Sequence, residues 1–171
     1  LPRGERPSPA REGRYKQERE GKKMRYKIKL KTISLQLAED AANYQTEIDN
    51  SKKAIDILRG IYKTLDADQE HFTVLFLNRR NVINGFKILH TGGQCESIVD
   101  PKILFRNALL FGANAIIIAH NHPSNNLKLS DQDLILTKQL IAAGKLLKIE
   151  IIDHIILTDD NYFSFKREGL L

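Results

Sequence analysis

The chain has 171 residues and a mass of 19.5 kDa, with 42% hydrophobic and 28% charged residues, as a water-exposed globular protein with one sizeable core would have. No stretch reaches the ~20 apolar residues that span a bilayer, and no apolar N-terminal segment resembles a signal peptide. One cysteine, Cys95, excludes an internal disulfide and a cysteine zinc cluster, and fits a reducing compartment such as the cytoplasm.

The net charge of +6 is unevenly spread. Residues 1–29 carry eleven of the 27 Lys/Arg and four of the 21 acids, so the remaining 142 residues net −1. Residues 1–23, with three of the five prolines, bury too little apolar surface to offset ordering entropy and are expected to be a disordered basic tail. Met24 is the only methionine and is taken as the natural start, with the preceding stretch as upstream sequence. Residues 24–49 form an extension, in which 27–34 alternate as a short strand would, and the main domain covers 50–171.

Within that domain the elements follow in order. Ser51 caps a helix whose Ala54, Ile55, Leu58, Ile61 and Tyr62 recur at three- and four-residue spacing. Phe72–Leu77 and Val82–Leu89 flank the turn Asn78–Asn81 as a hairpin, and Gly92-Gly93 breaks the chain. Asp100-Pro101 opens a helix running to Phe111. Ala115–Ala119 is a β-branched apolar run, hence a central strand. Ser130–Ala143 is a helix closed by Gly144, followed by strands at Ile149–Leu157 and Tyr162–Phe165. Interleaved strands and helices give an α/β or α+β class with a mixed sheet.

The chemistry concentrates in Ala119-His120-Asn121-His122-Pro123-Ser124 and Ser130-Asp131-Gln132-Asp133. Residues two apart on a strand point to one side, so His120 and His122 aim together and Asn121 aims away. Asp133 lies in the first turn of the next helix, within reach of the same point. Two imidazoles and a carboxylate make a three-ligand zinc set that leaves a position open for water, as catalytic zinc sites do. Ser130-x-x-Asp133 also has the form of a helix cap, a role compatible with a site.

His120-x-His122, seven residues, Ser130-x-x-Asp133 resembles the JAMM (MPN+/JAB) metalloprotease motif. His120–Ser124, Val99–Phe105, Ala142–Leu147, Asp153-His154 and Glu168–Leu171 are similar to the RadC-like (UPF0758) branch. The resemblance covers residues 50–171 and implies a JAB/MPN fold, a mixed sheet flanked by helices akin to the cytidine-deaminase architecture. It implies Zn2+ on His120, His122 and Asp133, with Ser130 hydrogen-bonding the bound water or a developing oxyanion. The implied reaction is hydrolysis of a peptide or isopeptide bond in a protein or peptide substrate.

The resemblance also expects a general-base glutamate on an earlier strand, and alignment on Gly92 puts Lys87 there. Glu96, in the following loop, is the nearest carboxylate that could replace it. A zinc-binding interaction module lacking the base is therefore an alternative. A DNA-associated protein gripping phosphates through residues 1–29 is another, although 24–70 leave no room for the helix-hairpin-helix of longer relatives, on which a DNA-repair role would rest. A homodimer stays open and a membrane partner is not expected. Deaminase chemistry is set aside because it needs a Cys-x-x-Cys and a His-x-Glu. His154 reads as a satisfied core histidine, His71 and His90 as surface or strand-edge residues, and Cys95 as incidental. Thr137, one turn after Asp133, could support that ligand.

Overall fold

The computed structural model describes residues 47–92 and 99–171, all within one compact unit. The basic tail, the strand expected at 27–34, Cys95 and Glu96 lie outside the described residues. The element order is α1 (Ser51–Tyr62), β1 (Glu70–Leu77), β2 (Ile83–Gly92), α2 (Pro101–Leu110), β3 (Ala115–Asn121), α3 (Asp131–Leu147), β4 (Glu150–Leu157) and β5 (Tyr162–Ser164). The five strands form one mixed sheet in the order β2-β1-β3-β4-β5, an α+β arrangement as expected. Only β3 and β4 run parallel, joined by α3, and the other neighbours are antiparallel.

Strand alternation sorts the core into two layers. Leu75, Leu77, Ile117, Ala119, Ile155 and Leu157 meet Ala54, Ile55, Leu58 and Ile61 of α1. Phe72, Val74, Phe76, Ile116 and Ile118 meet Leu104, Phe105 and Ala108 of α2 and Leu140 of α3. Helices on both faces explain why β1 and β3 read as continuous apolar runs rather than as alternating ones.

Several boundaries differ from the sequence reading. Asn50, not Ser51, caps α1, accepting from Lys53 N–H at 3.0 Å. β1 begins at Glu70, two residues early, and β2 runs on through Gly92 instead of stopping at Leu89. Gly144 does not close α3, which continues to Leu147 and ends at Lys148 in the left-handed region with φ 56°. Gly144 serves a tertiary contact instead: a Cβ there would sit 2.4 Å from the Ile149 carbonyl oxygen.

Candidate metal centre

β3 brings His120 and His122 to its carboxyl end, and α3 starts beside them, as crevices at strand ends in α/β sheets commonly do. Ile116 and Ile118 face α2 and α3, so alternation turns His120 to the same side. His120 is buried, and its Nε2 lies 3.1 Å from His122 Nε2 and 3.4 Å from Asp133 Oδ1. The three residues anticipated from the motif therefore meet.

Asp133 is held by its own helix start. Its backbone N–H donates to Ser130 Oγ at 3.1 Å, while the Ser130 N–H and hydroxyl both donate to Asp133 Oδ2. This capping box fixes the carboxylate and leaves Oδ1 toward His120. The Ser130 hydroxyl proton is thus engaged by Asp133, so donating it to a reacting oxygen requires release from that bond.

Hydrogen bonds also set the imidazole tautomers. A carbonyl only accepts, so the Thr137 hydroxyl donates to Asp133 O at 2.6 Å. Having spent its proton, Thr137 Oγ1 accepts from His154 Nδ1–H at 2.7 Å. His154 Nε2 is then a lone pair and accepts from His120 Nδ1–H at 3.1 Å. His120 Nε2 is left unprotonated. Burial holds His120 down to about 4, with His122 adding to the shift and Asp133 opposing it, so it is neutral at pH 7. His122 Nδ1–H donates to Asn126 O at 2.6 Å, presented by a turn in which Asn125 has φ 56°. In the neutral form of His122 this leaves Nε2 as a lone pair, facing His120 Nε2.

Two lone pairs 3.1 Å apart, with a carboxylate oxygen beside one of them, repel unless a proton or a cation lies between. Separations of 3.1 and 3.4 Å match the edges of a tetrahedron built on bonds of about 2.1 Å, the zinc–imidazole length. The residues present therefore fit a divalent metal. Ligand atoms of His120, Asp133 and His154 also lie within 4.8 Å of one another. Both His154 nitrogens are engaged, however, which makes it the buried support of His120, close to the satisfied core histidine expected. Thr137 supports Asp133 only through its backbone carbonyl.

One carboxylate escaped the sequence reading. Glu70 opens β1, and Phe72, on the same face, pairs with His120 and stacks on its ring at 6.1 Å. Half-buried Glu70 is raised above the usual carboxylate range by burial, and its charge is felt by His122, Asp133 and His90. It is a glutamate on an earlier strand, on the sheet face that carries His120. Lys87 instead donates from Nζ to Asn107 Oδ1 at 3.1 Å, beneath α2. His71 is a further correction: it is buried, its ring between Thr91 Oγ1 and Asp66 O at 2.9 Å each. His90 is half-buried and pairs opposite Phe72. Asp153 lies on the opposite face of the sheet, accepting from Ser164 Oγ at 2.6 Å and Lys166 N–H at 3.0 Å.

The model of the RadC-like JAB domain matches residues 48–170. The chain belongs to the RadC-like JAB domain family. Relatives of this JAB domain include UPF0758 proteins of Flavobacterium johnsoniae (39% identical over 79% of this chain and 58% of the relative) and Methanosarcina mazei (34%, 78% and 60%). A third, from Staphylococcus carnosus, is 42% identical over 58% of this chain and 44% of its own. The chain thus spans about half the length of the relatives it matches. Among the described residues, no helix of this JAB domain is long and apolar enough to cross a membrane.

Proposed function

We propose that the domain is a zinc-dependent hydrolase of peptide or isopeptide bonds, with His120 Nε2, His122 Nε2 and Asp133 Oδ1 as the metal ligands. The observation that carries this reading is the convergence of His120 Nε2 with His122 Nε2 at 3.1 Å and with Asp133 Oδ1 at 3.4 Å. When bound, the metal supplies a Lewis acid that polarises a carbonyl and brings the pKa of a coordinated water to about 7.

The chain's own residues do the rest. Glu70 takes the proton of the attacking water on its carboxylate and hands it to the leaving amine. Its partial burial raises its affinity for that proton. Ser130 and Thr137 hold Asp133, and His154 keeps the His120 lone pair directed inward.

Protein loaded with zinc and dialysed should retain about one zinc per chain and cleave a peptide or isopeptide-linked substrate, with a chelator stopping cleavage. Glu70→Gln should keep the zinc and lose at least a hundredfold in kcat. Retention of zinc by His122→Ala at wild-type affinity overturns the ligand set. Undiminished turnover in Glu70→Gln overturns the base. Zinc binding without any turnover would favour an interaction module.

A further inference from the structure

We propose that Asn121 is a positioning residue that aims Glu70 at the metal centre by bridging β1 and β3 beyond the point where their backbones pair. The inference rests on the role given to Glu70 above. The β1–β3 ladder ends at the pair Phe72–His120. Past that pair the β3 backbone turns to β4, and the His122 N–H donates to Leu157 O at 2.8 Å. The first residues of β1 would then have no partner on that side.

The Asn121 side chain supplies one. Its Oδ1 accepts from His71 N–H at 2.8 Å, and its Nδ2 donates to Gln69 O at 2.9 Å. These two backbone groups flank Glu70 on either side. One carboxamide therefore makes the two bonds that a neighbouring strand would have made, and only one orientation of the amide satisfies both.

The remaining anchors fix which way Glu70 points. The His71 ring lies on the α1 face, bonded to Thr91 Oγ1 and Asp66 O and stacked on Tyr62 at 6.4 Å. Strand alternation then sends the Glu70 side chain to the opposite face, which it shares with Phe72 and His120. On its other side the Glu70 backbone pairs with Gly92 of β2.

Strand geometry directs the residue between the two histidines away from the ligands, so Asn121 acts on the site through Glu70. No other side chain of similar size offers both groups at the same reach. Aspartate keeps the acceptor for His71 N–H and loses the donor to Gln69 O. Alanine loses both.

The test compares zinc-loaded wild type with Asn121→Ala and the milder Asn121→Asp. Carbon-13 NMR would follow the Glu70 side-chain carboxyl, assigned through Glu70→Gln, and hydrogen exchange would follow the His71 amide. In Asn121→Ala we expect unchanged zinc content, at least tenfold faster His71 exchange and a Glu70 titration midpoint moved toward that of an exposed glutamate. Any peptide or isopeptide turnover should fall at least tenfold in kcat with KM unchanged. Asn121→Asp should show the same changes in smaller measure, and serves if the alanine variant does not fold. A Glu70 titration and His71 exchange identical to wild type in both variants overturn the proposal. Because those two readouts need no substrate, they decide it even if the wild-type protein cleaves nothing.

Discussion

His120 Nδ1 donates to His154 Nε2 across 3.1 Å, so a residue 34 positions away decides which nitrogen of His120 faces the candidate metal. His154 is in turn oriented by Thr137 at 2.7 Å. Removing a group that orients a ligand typically costs 10–100-fold in metal affinity, whereas removing the ligand removes the site. Competition titration with a zinc chelator should therefore find His154→Ala weaker by about that factor, and His120→Ala or Asp133→Ala without measurable affinity. An unaltered affinity in His154→Ala would mean that the tautomer of His120 is set elsewhere.

The same two imidazoles tie stability to pH. Burial depresses both, His120 to about 4 and His154 well below its ordinary 6.5, with the neighbouring histidines acting in the same direction. Between 6.5 and about 4 the unfolded chain binds protons that the native state refuses, so stability falls as pH falls through this window. At pH 5 each imidazole that stays neutral contributes about 2 kcal/mol to that loss. Glu70 and Asp153, raised by burial, oppose it. Urea unfolding of chelated protein should give a lower midpoint at pH 5 than at pH 7, and His154→Gln should narrow the difference. A midpoint that is level or higher at pH 5 counts against neutral, buried imidazoles.

The layers were legible because burial on both faces leaves unbroken apolar runs, and because His120-x-His122 followed by Ser130-x-x-Asp133 is a pattern of local spacing. Glu70 was not legible. The apolar run starts at Phe72, and the spacing from Gly92 points to β2 rather than to β1. The Asn121 bonds to residues 69 and 71, which flank Glu70, span about 50 positions and leave no periodic trace. Gly144 misled for a related reason: it resembles a helix stop, yet its lack of a side chain answers the approach of Ile149.

That approach can be measured. In Gly144→Ala the new Cβ would meet the Ile149 carbonyl oxygen at 2.4 Å, and the Ile149 N–H already donates to Gly144 O at 2.9 Å, so neither backbone can yield freely. Overpacking of this kind costs about 1–3 kcal/mol. Gly60, exposed in α1, meets nothing within 4 Å, and Gly60→Ala should stabilise by roughly 0.5–1 kcal/mol through helix propensity. Chemical denaturation of the pair should show opposite signs. A neutral Gly144→Ala would mean that the α3–β4 connection relaxes more easily than its bonds suggest.

Lys87→Glu separates the two placements of the base. If Lys87 occupied the base position, a carboxylate there would create or raise hydrolysis. Its Nζ instead donates to Asn107 Oδ1 at 3.1 Å, and the Asn107 amide is committed to Ile103 O at 2.6 Å, so Asn107 presents only an acceptor to residue 87. A glutamate would set acceptor against acceptor on a half-buried site beneath α2, at a cost of about 1–3 kcal/mol. Thermal denaturation should therefore show a lowered Tm for Lys87→Glu, and any cleavage of peptide or isopeptide substrate should not rise. A gain in turnover would move the base from β1 to β2 and leave Glu70 without a role in proton transfer.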